Sequence, residues 1–255
     1  MTTRSRYNAG NLEFYEDTGF ETTAPTAPLQ FLEDFIGAGH SAGIPAAASP
    51  VAGYPWVKKI VGAAPPTAAF VANAPGGQAA LTLLANNEAE EASIYWNDNL
   101  ALDVTKRLNF EARIALSVAP SAAGVQAVFG VAQAWAATPD GNARYLEFGA
   151  TANNGLLIRS KDGVTTFSQA AAYIATPSSA ILLDTNFHMF RIDASDPTDV
   201  AFYFDGNRVN PKGSVTWAAT SANSLTQPYL SVFKTASVGL ATLTIDKVDA
   251  WANRA

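Results

Sequence analysis

Leu108, Phe110, Ala112, Ile114 and Leu116 form an unbroken apolar series whose intervening positions include Asn109, Glu111 and Arg113. A strict two-residue period puts one set on a buried sheet face and the other on the opposite face, which makes this stretch a strand and excludes a helix. The same alternation recurs where His188, Phe190, Ile192 and Ala194 interleave with Met189, Arg191 and Asp193. It returns where Val200, Phe202 and Phe204 interleave with Ala201, Tyr203 and Asp205. Turn chemistry separates such runs. Asn153-Asn154-Gly155, Lys161-Asp162-Gly163 and Asp205-Gly206-Asn207 supply the positive φ that tight hairpins need, and Ser195 to Asp199 is a turn-rich connection. Further strands are expected at 80–85, 92–97, 127–135, 145–151, 156–160, 164–167, 181–184, 214–218, 229–234 and 240–248. Only 29–36 and 169–175 read as helical turns. The expected fold is therefore all-β, a two-sheet antiparallel jelly-roll sandwich.

Composition narrows the function classes. The chain of 255 residues has no cysteine, which excludes disulfides, thiolate metal sites and a cysteine nucleophile. Sixteen Lys and Arg against 22 Asp and Glu give a net charge of −6, which argues against a partner held by phosphate contacts. Forty-nine residues are alanine, in strands and loops alike, so the apolar core must be carried by Phe, Leu, Ile, Val and Trp. The first residues are polar and basic and are followed by Glu13, Glu16 and Asp17, not by the apolar run of a secretory signal. No apolar stretch approaches the ~18–20 residues of a membrane span, so a soluble protein is expected.

Residues 22–28, Thr-Thr-Ala-Pro-Thr-Ala-Pro, read as a linker. The expected organisation is an extended N-terminal arm over 1–30, followed by a sandwich over 31–255. The arm offers Arg4, Arg6, Tyr7, Leu12, Phe14 and Tyr15 as partner-binding residues.

The catalytic inventory is thin. Retaining glycoside hydrolysis needs two carboxyl groups about 5–5.5 Å apart, and the Glu-x-Asp-x-Glu and Glu-x-Asp-x-x-Glu spacings by which glucanases of the jelly-roll sandwich fold supply them on one strand are absent. Glu88, Glu90 and Glu91 read as a solvated loop, and Glu111 with Arg113 as a solvated or paired surface couple. Asp184, Asn186 and His188 superficially match a calcium site but read as a strand-connecting turn. Asp193, Asp196, Asp199 and Asp205 are a weaker metal candidate, explained equally by turns. The two histidines, His40 and His188, leave almost no room for acid–base work. Ser121, Ser178 and Ser179 sit in small-residue loops without a nucleophile elbow. Trp56, Trp96, Trp135, Trp217 and Trp251 fall in apolar patterns and are expected mostly in the core, although exposed ones would stack on sugars. No catalytic residue, metal ligand or cofactor is assigned, and the chain is expected not to be an enzyme.

Two resemblances add to this reading. Residues 188–193, His-Met-Phe-Arg-Ile-Asp, then 200–209, Val-Ala-Phe-Tyr-Phe-Asp-Gly-Asn-Arg-Val, and the closing run 243–251 resemble the concanavalin A-like lectin/glucanase superfamily, including laminin-G-like modules. That likeness implies the jelly-roll sandwich and, in one reading, a carbohydrate-binding module. Residues 6–15, Arg-Tyr-Asn-Ala-Gly-Asn-Leu-Glu-Phe-Tyr, with Phe31-Leu32-Glu33-Asp34-Phe35 resemble jelly-roll proteins of tailed-bacteriophage virions. This second likeness implies a capsid decoration or cement protein. Such a protein would be assembled in the host cytoplasm, would bind the major capsid protein or other virion subunits through its arm, and would form a homo-oligomer, by likeness a trimer. Virion decoration is the main expectation and glycan binding the alternative; neither involves nucleic acid or a membrane.

Overall fold

The computed structural model describes residues 3–8, 11–36, 43–152, 155–172, 181, 184–220 and 223–254. His40, Asn153, Asn154, Ser178 and Ser179 lie outside them, as do residues 182 and 183 of the strand expected at 181–184.

Among the described residues three sheets are formed. The N-terminal sheet contains β1 (Thr3–Asn8), β2 (Asn11–Glu16) and β3 (Thr22–Pro25) in that order. Sheet I runs β17 (Asn207–Arg208), β16 (Ala201–Phe204), β15 (His188–Ala194), β10 (Leu108–Val118), β19 (Thr242–Ala252), β7 (Ala79–Thr82) and β6 (Thr67–Phe70). β4 (Leu29–Glu33) pairs with the C-terminal half of β19, beyond the end of β7. Sheet II runs β14 (Thr166–Ala170), β13 (Gly155–Lys161), β12 (Tyr145–Thr151), β11 (Val125–Ala132), β18 (Leu225–Ser237), β8 (Glu88–Tyr95) and β5 (Val57–Val61), with β9 (Leu102–Asp103) also on β18. Every pairing between these strands is antiparallel.

The period-two pattern explains why two sheets face one another. Phe110, Ala112 and Ile114 of β10, Phe190 and Ile192 of β15, and Phe202 and Phe204 of β16 turn to the same interior as Phe129, Phe148 and Ile158 of sheet II. Phe129 stacks on Phe148 at 5.7 Å, and Phe190 meets both edge-on at 4.7 and 5.2 Å, so the two sheets interlock through aromatic rings. Each such ring contributes about 1.5–3 kcal/mol by leaving water, plus ~0.5–1.5 kcal/mol per well-oriented pair. Trp56, Trp96 and Phe31 form a second aromatic group in the same core.

Several expectations are corrected. Residues 29–33 are a strand, not a helical turn, because Leu29 and Phe31 pack against the core while Leu32 is exposed. Residues 214–218 form no strand, and 166–170 are β14 where a helical turn was expected from 169. Residues 88–91 begin strand β8 instead of lying in a solvated loop, and Glu90 and Glu91 are buried. Burial of Glu90 is offset by Lys234, at 3.4 Å on the paired strand, whose ammonium also donates to the Leu84 and Asn86 carbonyls.

The N-terminal segment does not extend away. β1–β3 fold back onto the outer face of sheet I, and the boundary expected at residue 30 falls inside β4. The Pro/Thr/Ala run tolerates this because the β-branched Thr22 and Thr23 favour a strand. Pro25 ends an edge strand, where its missing N–H breaks no ladder.

Candidate functional site

The outward positions of sheet II carry more chemistry than a solvated face requires. Val57, Tyr95, Val128, Ala132, Tyr145 and Tyr229 form an apolar cluster there, against which Ala47 and Trp135 pack. Set into it are Glu91 and Glu147, both buried. Trp135 Nε1 donates to Glu91 Oε1 at 2.9 Å and the Tyr229 hydroxyl donates to the same oxygen at 3.1 Å. Burial raises the Glu91 pKa despite the opposing hydrogen bonds from Tyr229, Ser93, Trp135 and Ser231.

The centre of the face is Arg159. Antiparallel register puts it directly across from Glu147, and Gly149 on the same strand as Glu147 leaves a flat floor on which the arginine stem lies. A Cβ at Gly149 would sit 2.8 Å from Arg159 Cδ. The guanidinium is then held from several sides. Its Nη2 bonds to Asp140, its Nη1 donates to Gln126 Oε1 at 3.1 Å, and its Nε lies 3.3 Å from Glu147 Oε1. It also stands over the Tyr145 ring, 5.3 Å from the centroid. Asp140 reaches it from a 3₁₀ turn at Pro139–Gly141, in a loop fixed by the bond from Trp135 N to Asp98 Oδ1 and by Asn142 accepting from Ala134 N.

Glu147 is pushed up to about 7 by burial, which the Arg159 charge opposes and Asp140 reinforces. Neither of its carboxyl oxygens has a hydrogen-bond partner. Beside this group opens a trough of about 360 Å³ over β11–β14, lined by Gln126, Asp140, Tyr145, Arg159, Lys161 and Ser168 among others.

The other sequence candidates are dispersed or occupied. Asp184 accepts from both the backbone N–H and the side-chain amide of Asn186, and His188 bridges Asp184 at 2.9 Å and Asp205 at 2.6 Å, so this is the expected turn tied to a strand end. Asp193, Asp196, Asp199 and Asp205 go to separate partners: Arg191, Thr198, Arg208 and His188. Glu111 and Arg113 are no surface couple, since Glu111 is buried against Thr22 while Arg113 pairs with Asp246. Trp56, Trp96 and Trp217 are in the core, Trp135 is half-buried on sheet II, and Trp251 is buried on the outer face of sheet I.

Among the arm residues, Arg4 pairs with Asp17, and Arg6 pairs with Glu13 and stands over the Tyr15 ring at 4.8 Å. Leu12 is half-buried, Phe14 is exposed, and Tyr7 is 78% exposed. Sequence reasoning missed Arg159, Glu147 and Gln126, which are spread over three strands. The alternation of Tyr145, Glu147 and Gly149 against Leu146, Phe148 and Ala150 was the available sign of a polar outer face.

No protein-family model and no curated protein matches the chain. Solved structures do. An endo-1,3-beta-glucanase from Streptomyces sioyaensis is similar over 90% of this chain and 100% of its own, with TM-score 0.55 and 17% identity. A protein of unknown function from Shewanella oneidensis matches over 89% of each chain, with TM-score 0.56 and 11% identity. An uncharacterized protein from Mycobacterium paratuberculosis matches over 87% of this chain and 99% of its own, with TM-score 0.53 and 13% identity. The fold is thus the expected two-sheet antiparallel jelly-roll sandwich, similar to that of these proteins, a glucanase among them.

Proposed function

We propose that the chain is a carbohydrate-binding domain that holds a glycan in the sheet II trough without cleaving it. The observation that carries this reading is the lining of that trough. A tyrosine ring, a guanidinium, an amide, a carboxylate, an ammonium and hydroxyl groups share one open concavity of about 360 Å³. Sugars present C–H faces to rings and hydroxyls to planar polar groups, so a mixed lining of this kind suits them better than an apolar or a purely ionic ligand. The likeness of the whole sandwich to a glucanase supports the same reading.

Cleavage is disfavoured by the placement of the carboxylates. Glu147 aligns through Gly130 and Tyr229 with Tyr95, four residues along β8 from Glu91. At ~4.8 Å per strand and ~3.3 Å per residue their Cα atoms are about 19 Å apart, a gap that two glutamate side chains reaching toward one another do not close to the ~5–9.5 Å between carboxyl groups that glycoside hydrolysis uses. Asp140 and Glu147 do approach one another, but the Arg159 guanidinium lies between them. The virion setting rests on the second sequence resemblance alone.

The test is a glycan array followed by calorimetry on the full chain and on a Gln126→Ala/Asp140→Ala double variant. The expected result is a saturable oligosaccharide ligand, weakened about tenfold or more in the variant, with circular dichroism verifying that the variant, although less stable for losing two partners of the buried Arg159, is folded at the temperature of the titration. Absence of any retained glycan, or equal affinity in the variant, would overturn the proposal. Release of new reducing ends would overturn its non-catalytic part.

A further inference from the structure

A second cleft lies on the opposite side of the molecule, where the edge of the N-terminal sheet meets the outer face of sheet I. Its volume is about 220 Å³, below the ~300–1,000 Å³ of pockets that take drug-sized ligands, so it has room for one small ring. Arg6, Tyr7 and Asn8 of β1 form one wall, and Met189, Arg191 and Asp193 of β15 form the floor with Glu111 and Tyr203. Phe20, at φ 60°, closes one end by laying its ring on Gly206, where a Cβ would be 2.4 Å from Phe20 Cδ1.

Two features of this cleft point to a ligand. Arg6 Nη2 and Arg191 Nε are buried donors without a hydrogen-bond partner, although both guanidinium groups are otherwise engaged by Glu13. Buried donors of this kind are normally satisfied. Tyr7 is also 78% exposed at the rim of a cleft whose floor carries Tyr203.

The charges decide the class of ligand. Arg6, Arg191, Glu111 and Asp193 line the same space, with both oxygens of the Glu111 carboxyl already held by Thr22. An anion would gain from the arginines and be repelled by Asp193. A neutral polyhydroxylated ring gives its O–H groups to Asp193, accepts from Arg6 and Arg191, and offers its C–H face to tyrosine.

We infer that this cleft is a separate binding site for a single neutral monosaccharide unit, built by the N-terminal sheet on the face of sheet I that is remote from the sheet II trough. The site exists only while β1–β3 are docked.

The test is amide NMR of the full chain titrated with galactose, mannose, N-acetylglucosamine and glucuronate. One of the three neutral sugars is expected to shift the amides of Asn8, Met189 and Gly206 while leaving those of Thr151 and Lys161 unmoved. Tyr7→Ala and Asp193→Asn are each expected to weaken it about tenfold, with circular dichroism verifying the fold. Three results would overturn the inference: no shift at the solubility limit of the three neutral sugars, a response to glucuronate alone, or undiminished binding by Tyr7→Ala. Shifts confined to Thr151 and Lys161 would also overturn it while supporting the trough, so the two sites are separable in one experiment.

Discussion

Glu13 and Trp251 meet across the seam between the N-terminal sheet and the sandwich, with the indole Nε1 donating to Glu13 Oε1 at 2.9 Å. The same fully buried carboxylate accepts from Arg6, Arg191 and Asn8. It is the acceptor on which the docking of β1–β3 converges, and its partners come from three strands, of which β15 and β19 are distant in sequence. Glu13→Ala leaves the buried Arg191 guanidinium, the half-buried Arg6 guanidinium and an indole N–H without it. Removing one member of a buried ion pair costs about 3–5 kcal/mol. Hydrogen exchange of the variant is expected to show β1–β3 opening with the interior of sheet II still protected. Uniform protection would mean that the N-terminal sheet is held by something else.

Acid pH is expected to stabilise the protein relative to mildly alkaline pH. Glu111 is pushed up to about 7 by burial, against which its bonds from Thr22 and the Lys247 charge work. Glu147 likewise stands at about 7, and Asp249 at about 6, where burial again dominates and Lys247 opposes it. A carboxyl raised in the folded state binds more protons there than when unfolded. Stability therefore falls as pH rises from about 4.5, the ordinary carboxylate range, to about 7. Glu111→Gln keeps an acceptor for the Thr22 amide, and the Thr22 hydroxyl can reverse its role. Melting curves between pH 5 and pH 8 are expected to show a shallower decline in this variant, and an unchanged slope would exclude Glu111 as a contributor.

Much of this fold was legible because sheet faces obey a local rule. The strands β10, β15 and β16 follow from side-chain alternation within a few residues, and the turns at Asp162-Gly163 and Asp205-Gly206 follow from backbone freedom at single positions. What was illegible depended on partners far away in the chain. Glu90 looks solvated until Lys234 is brought beside it, and Trp251 looks like core until Glu13 covers it on the other face. The Pro/Thr run at 22–28 matches a linker and an edge strand equally, and the acceptor Glu111 decides between them by capturing Thr22. The trough residues Gln126, Glu147 and Arg159 are assembled by cross-strand register, which no single window of sequence contains.

The Glu90–Lys234 pair is expected to behave as a coupled unit. Lys234→Met alone deprives the Leu84 and Asn86 carbonyls of their donor and leaves Glu90 without its cation, so a loss of about 3–5 kcal/mol is expected. Glu90→Gln preserves an acceptor for the Leu84 amide, which bonds to Glu90 at 2.8 Å. The double variant Lys234→Met/Glu90→Gln should be less destabilised than the sum of the singles, with a coupling within the ~0.5–3 kcal/mol found for contacting groups. Denaturant titration of the four proteins measures it, and strict additivity would mean that the two charges do not sense one another.

Two glycines on the sheet II face separate stability from binding. A Cβ on Gly130 would stand 2.2 Å from Leu146 O and 2.7 Å from Glu147 Cα, and both are backbone atoms that the β11–β12 ladder fixes. Gly130→Ala must therefore spread that ladder, and overpacking of this kind costs about 1–3 kcal/mol or more. The three atoms nearest a Cβ on Gly149 all belong to the Arg159 side chain, Cδ first at 2.8 Å, and a side chain can move where a ladder cannot. Gly149→Ala is expected to cost less than about 1 kcal/mol but to lift the guanidinium away from Gln126 and Asp140, so that glycan affinity in the trough drops while the melting temperature barely changes. Calorimetric affinity and thermal melting of the two variants check this directly. A Gly149→Ala protein that binds as tightly as the parent would mean that the fixed position of Arg159 is not what recognises the ligand.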